Sequence, residues 1–252
     1  MQYDVIVLGA TFTAAGLLQE YGDKCLVLER RPQAGYEFLN AIKFGAGYNK
    51  PLQTEQAKAL YEAFCAKKAF YGERVMLFDC AGPFYRLLEG KNVMLNMEIV
   101  SVDAKDGGFE VTAHGVSGYR TYTANKVIDT RVHDEMIEKK SLNILVYSET
   151  KAPFTAPEGT STEQWGYADD ILLKCPVPVN ANYIEARKAA MAVVEKLPAD
   201  YKLLLVPDMF DCTLCGTYPT EKDGIVYLPS LAYENPLLAF DAGVLYAKGG
   251  VL

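Results

Sequence analysis

The sequence predicts an α/β fold: a parallel sheet with helices on both sides, an inserted β-meander and a small cap region. Three observations predict it. The apolar run Val5-Ile6-Val7-Leu8 ends in Gly9 and passes directly into a helical pattern. A second apolar run, Cys25-Leu26-Val27-Leu28, ends in Glu29, 20 residues after Gly9. Short alternating runs separated by glycine turns then fill residues 93–129. A continuous apolar run suits a strand buried on both faces, as in a parallel sheet, whereas alternation marks a strand with one wet face.

Residues 5–8 are the first buried strand, Gly9 makes the tight turn, and residues 11–20 read as a helix. In a Rossmann-like dinucleotide unit the N-terminus of that helix faces a pyrophosphate, and three glycines shape the turn. Here Gly9 keeps the first position, while Thr11 and Ala14 replace the second and third. Ala14 is a mild change. Thr11 is the larger one, because its β-branched side chain takes space that phosphate oxygens need, although its hydroxyl can donate to one. Gly9, Ala10, Thr11, Phe12 and Thr13 are the candidate phosphate contacts. Glu29 stands where a carboxylate accepts hydrogen bonds from a ribose hydroxyl, and its charge opposes a 2′-phosphate. Arg30 and Arg31 are candidates for the adenosine side.

Residues 33–38 read as a loop passing close to a bound adenosine or flavin. Residues 52–71 predict a helix ended by Gly72, residues 75–78 a short apolar strand or buried segment, and residues 83–88 a short helix opening on Pro83. The meander covers about residues 93–125, with turns at Asp106-Gly107-Gly108 and between Gly115 and Gly118. Lys126-Val127-Ile128-Asp129 is the strand that returns to the sheet. Residues 142–147 form another strand, and the polar stretch 148–170 is a lid, a surface loop or part of a cap lobe. Residues 182–197 predict an amphipathic helix capped by Asn180 or Asn182, residues 203–206 and 224–228 strands, and residues 236–248 the last helix. The expected division is a core of residues 1–140 and 200–252 with a small lobe at 141–199.

Composition narrows the function classes. Lys plus Arg total 25 against 32 Asp plus Glu, a formal charge of -7, which disfavours a nucleic-acid partner. No apolar run approaches the roughly 18 residues of a membrane span, and the N-terminus enters a strand without a leader-like segment. A cytoplasmic protein without a membrane partner is expected. Four of the six cysteines are scattered through apolar segments, as in a reduced compartment. Cys212 and Cys215 have redox-pair spacing, for which dithiol chemistry, a metal and simple packing are the alternatives. One Cys-x-x-Cys makes a poor structural metal site, so no metal is expected. His133 is a weak acid–base candidate, and His114 is expected to be exposed. Trp165, Tyr167 and Tyr183 are candidates for a substrate or partner surface.

The order of strand, glycine turn, helix, strand ending in Glu29, meander and returning strand resembles the FAD-dependent oxidoreductases of the glutathione-reductase-like class, the FAD/NAD(P)-binding fold. The segment from Tyr122 to Thr130 is similar to the family's return from the meander to the nucleotide, with Arg131 where relatives have glycine. The segment from Gly224 to Ser230 falls where relatives carry a strand and Gly-Asp, with Pro229 and Ser230 in their place. Asn235, Pro236 and Leu237 open what resembles the family's last helix, which points at the flavin ring. The resemblance covers residues 1–130 and 221–248, and residues 140–210 are shorter than the usual substrate domain.

The resemblance implies FAD as cofactor, with Thr130, Ser230, Asn235, Pro236 and Leu237 joining the earlier residues at its site. It implies an FAD-binding oxidoreductase that moves a hydride or electrons between flavin and a small-molecule substrate or redox partner, with NAD(P)H a candidate donor. The alternative is a non-catalytic flavin- or nucleotide-binding protein, or a partner-docking protein, on a degenerate dinucleotide fold. Because the middle is short, residues 148–183, or else a homo-oligomer or a partner subunit, are expected to cover the flavin.

Overall fold

A computed structural model describes residues 2–71, 74–148, 155–164 and 170–250. Two sheets form its frame. The first runs in the order β14 (Thr220–Lys222), β15 (Ile225–Tyr227), β8 (Gly118–Asp129), β1 (Gln2–Leu8), β2 (Cys25–Leu28) and β5 (Val93–Met94). From β15 to β5 the neighbours are parallel. Strands β6 (Glu98–Lys105) and β7 (Gly108–Gly115) join through β7 to the first half of β8. The single strand β8 therefore serves three pairings, antiparallel to β7 from Gly118 to Ala124, parallel to β1 from Thr123 onward, and parallel to β15 at Ile128 and Asp129.

The two faces of this sheet are covered differently. Val5, Val7, Val27 and Ile128 pack under helices α1 (Phe12–Tyr21), α3 (Glu55–Ala66), α4 (Leu77–Arg86) and α6 (Pro236–Ala247). Ile6, Leu8, Leu26, Leu28 and Val127 pack instead on Met97, Val111, Ala113, Tyr122 and Ala124. Among the described residues, strands take the place of the helix layer expected on that second face. The alternating inward residues of the curled strands already bury it.

Helices α1 and α6 lie in backbone contact. A Cβ on Gly16 would sit 2.1 Å from the Phe240 carbonyl oxygen, and one on Gly243 would sit 2.1 Å from that of Thr13. Both helices are apolar around most of their circumference, as fits elements buried between sheet and helix layers.

Several local expectations are corrected. Leu77 begins helix α4, so of the two readings of residues 75–78 the strand does not hold, while Val75, Met76 and Leu77 are buried, and Pro83 lies inside that helix rather than at its start. Four apolar residues cannot distinguish a strand from a helix turn. Residues 33–38 are not all loop, because α2 (Tyr36–Leu39) follows the left-handed Gly35. Helix α3 stops at Ala66, with Lys68 left-handed, and Phe70–Tyr71 (β3) pairs with Arg74–Val75 (β4). Gly72, expected to end that helix, lies outside the described residues.

The second sheet has the order β10 (Ser161–Gln164), β11 (Asp170–Val177), β9 (Ile137–Ser148) and β12 (Tyr201–Leu205), with β13 (Asp211–Leu214) also paired to β9. Helix α5 (Tyr183–Val194) covers it through Ala186 and Ala190. Asn182 and Glu185 form a reciprocal capping box at its start. A buried polar cluster ties this sheet to the first. Asp211 accepts from Lys43 Nζ at 2.7 Å and Lys174 Nζ at 3.0 Å, and Asn143 Nδ2 donates to the Ala41 and Ile42 carbonyls.

Gly16→Ala is expected to lower stability by roughly 1–3 kcal/mol, because the added methyl must push two backbones apart. Urea unfolding measures it. A change within a few tenths of a kcal/mol would contradict the contact.

Candidate functional site

The carboxyl ends of β1, β2 and β8 meet where the sheet changes direction. From β1 the chain builds outward through β2 to β5, whereas β8 and β15 lie on the other side. Open α/β sheets bind ligands at such a switch point. A cavity of about 380 Å³ opens there, lined by Thr11, Arg30, Arg31, Tyr36, Glu37, Thr130, Arg131 and His133 from the first sheet's edge. Ile137, Lys140, Tyr183, Phe210 and Cys212 close it from the second sheet.

The turn between β1 and α1 is held by Gly9, whose φ of +94° is open to glycine. A Cβ there would also meet Arg131 Cγ at 2.7 Å, so the Arg131 side chain lies directly over the turn. Thr11 caps α1: its hydroxyl accepts from Ala14 N–H at 3.1 Å and donates to Thr130 Oγ1 at 2.9 Å. That proton is therefore committed within the protein. Thr130 Oγ1 in turn lies 3.0 and 3.1 Å from the Leu8 and Gly9 carbonyl oxygens.

Three buried carboxylates share this edge, each with a different environment. Glu29 accepts from Ala10 N–H at 3.0 Å and Arg31 N–H at 2.8 Å. Burial raises its pKa, and these two hydrogen bonds oppose the shift. Asp129 accepts from the Arg131 backbone N–H, Nε and Nη2 at 2.7–3.0 Å, and lies 3.0 Å from His133 Nε2. Burial alone would raise Asp129, but the His133 and Arg131 hydrogen bonds outweigh it and hold the carboxyl below its ordinary value. The Asp129 hydrogen bond raises His133 in return.

Glu37 is the third, and sequence reasoning did not single it out. Its Oε1 accepts from Phe12 N–H at 2.8 Å and from Ser230 Oγ at 2.8 Å. Its Oε2 is buried without a hydrogen-bond partner. Burial pushes its pKa up to about 7, against the pull of the Phe12 and Ser230 hydrogen bonds. The signal that marks it is the acidic residue itself, set in the otherwise apolar run that follows Gly35.

Of the other candidates, Ser230 and Thr13 join the same edge, with Thr13 N–H 3.4 Å from Ser230 Oγ. Asn235, Pro236 and Leu237 do not line the cavity. Asn235 caps α6 through Leu238 N–H and donates to the Ala46 carbonyl. Cys212 lines the cavity but Cys215 does not. Burial pushes the Cys212 thiol up to about 11, which disfavours the thiolate that exchange chemistry needs. His114 is exposed. Tyr183 lines the cavity, and Trp165 and Tyr167 lie outside the described residues. No cluster of three metal-ligating side chains occurs among the described residues, and no helix there is long and apolar enough to cross a membrane.

The fold is similar to that of several solved hydroxylases and monooxygenases. It matches OxyS anhydrotetracycline hydroxylase from Streptomyces rimosus with a TM-score of 0.67 at 13% identity, over 98% of this chain and 61% of that one. It matches p-nitrophenol 4-monooxygenase PnpA from Pseudomonas putida DLL-E4 with a TM-score of 0.59 at 13% identity, over 98% and 78%. A ternary complex of aklavinone-11 hydroxylase with FAD and aklavinone gives 0.52 at 10% identity, over 98% and 61%. The chain thus spans 61% of the length of the two hydroxylases. The sequence matches no protein-family model and no curated protein.

The residues fit a dinucleotide in part. Arg30 and Arg31 line the cavity and are of the type that meets anionic groups, whereas Glu29 is 1% exposed and its two oxygens already accept from Ala10 and Arg31 N–H. The α1 N-terminus does not suit a pyrophosphate as it stands, because the Phe12 N–H already faces the Glu37 carboxylate.

Stability is expected to fall as pH rises from about 4.5 to about 7, since folded Glu37 holds its proton more tightly than the unfolded chain does. Glu37→Gln should remove a loss on the order of 3 kcal/mol. Urea melts of both proteins across that range test it, and parallel curves would contradict it. Asp129→Asn is expected to destabilise by about 3 kcal/mol and to lower the His133 pKa, as NMR titration of the ring reads directly.

Proposed function

We propose that this chain is an FAD-dependent oxidoreductase on a compact hydroxylase-type fold. The observation that carries the reading is a cavity at the switch point of a parallel sheet, lined by Arg30 and Arg31, which directly follow the carboxylate Glu29 at the end of β2. Glu29, Arg30 and Arg31 would hold the adenosine end. Bound flavin supplies the electron chemistry, and the protein supplies position and electrostatics. The substrate is a small molecule or a redox partner that enters between the two sheets, where Lys140, Tyr183 and Phe210 line the opposite wall. NAD(P)H is the proposed electron donor, and a second subunit is the proposed cover for a ring left open by the short second sheet.

One observation favours a second reading. Glu37 sits against the α1 N-terminus, where a dinucleotide needs to place its phosphates. A nucleotide-fold protein that docks on a partner without catalysis would tolerate this.

Purified protein is expected to carry flavin absorbance or to acquire it from added FAD, with FAD identified by mass on release. A colourless protein that takes up no FAD at micromolar concentration would overturn the first reading. Where FAD is held, reduction by NADH or NADPH separates catalysis from storage.

A further inference from the structure

The N-terminus of α1 carries more anionic ligation than a helix cap needs. Its local cap is complete, because Thr11 Oγ1 already accepts from Ala14 N–H. A further carboxylate then reaches the Phe12 N–H from Glu37, 25 residues along the chain. Ser230, on a segment 193 residues beyond Glu37, donates its hydroxyl to the same oxygen. Two remote segments thus converge on the first free N–H groups of a ten-residue helix.

Glu37 is also poorly served by its position. It is 3% exposed, and its second oxygen has no partner. The arginines that line the same cavity do not pair with it: Arg131 is held by Asp129 through Nε and Nη2. The Arg31 guanidinium lies 5.0 Å over the Tyr36 ring, with its buried Nε unpartnered. Glu37 and Arg31, each with one buried polar atom that has no partner, therefore line the same cavity. A stability-driven design would pair them or remove both, because each unsatisfied buried polar atom costs free energy. A diphosphate supplies oxygens of the kind that both the α1 N–H groups and Arg31 donate to.

We propose that Glu37 is an internal anion that holds the phosphate seat of this fold, so that a nucleotide diphosphate enters only by displacing it. This deepens the FAD reading by naming what opposes uptake, and it concerns this chain's own side chain rather than any step of the flavin's chemistry. The Glu37 carboxyl competes through Oε1 for the same Phe12 N–H, and in its ionised form it also repels the incoming phosphates.

The test compares wild type with Glu37→Ala and Glu37→Gln for binding of FAD, ADP and inorganic pyrophosphate by calorimetry. Circular dichroism confirms that each variant is folded. Glu37→Ala is expected to bind all three at least tenfold more tightly than wild type. Glu37→Gln keeps an acceptor for Phe12 N–H without the charge, and should fall between them. If wild type binds FAD as tightly as both variants, the internal anion is overturned and the flavin reading stands. If the variants gain ADP and pyrophosphate binding but none binds FAD, the internal anion stands and the flavin reading fails. If no variant binds any of the three at millimolar concentration, the seat is not a phosphate seat and the proposal is overturned.

Discussion

The backbone contact between α1 and α6 is the constraint from which the rest of the edge takes its geometry. Gly16 and Gly243 let the two helices approach until a single methyl on either would strike a carbonyl oxygen. That approach brings Thr13 Oγ1 to 3.0 Å from the Ala239 carbonyl. It also sets the 3₁₀ turn at Ser230–Ala232 against the start of α1. On the far side, Asp241 of α6 accepts from the Gln53 and Thr54 N–H groups, which fixes the start of α3. A small-residue crossing buried in the sequence thus places three segments that are distant along the chain.

The site edge sorts its charges by how they are compensated. Asp129 has a guanidinium and an imidazole, and stays ionised at low cost. Glu29 has two backbone N–H groups, which offset much of its burial. Glu37 has one N–H and one hydroxyl for two oxygens, and burial prevails. Three carboxylates of one chemical type therefore differ in their hold on a proton, and the differences come from geometry rather than from residue identity.

Much of this edge was legible in sequence because its signals are short-range. A buried apolar run ending in Gly9, a second ending in Glu29 and a returning strand ending at Asp129 need only local pattern. Asn182 and Asn235 announce their helices by the same logic. Glu37 was not legible, since its role depends on Phe12 and Ser230, which local pattern cannot place beside it. The first half of β9 was hidden for a different reason. Glu138, Lys139 and Lys140 interrupt its apolar rhythm, and only pairing with β11 and β13 makes those residues a strand. The Thr11 hydroxyl, expected to reach outward, turns inward because Thr130 lies within its range.

The polar cluster around Asp211 has a consequence for how the molecule comes apart. Its carboxylate is held below its ordinary pKa by Lys43 and Lys174 against the opposing effect of burial. Lys43 belongs to the segment beneath the first sheet, whereas Lys174 and Asp211 belong to the second. Parting the sheets removes Lys43 from a carboxylate still lodged beside β9, and also strips Asn143 of the Ala41 and Ile42 carbonyls. Neither half then retains a satisfied interior at that boundary. The cluster thus makes separation of the two sheets costly at the boundary on which the cavity lies.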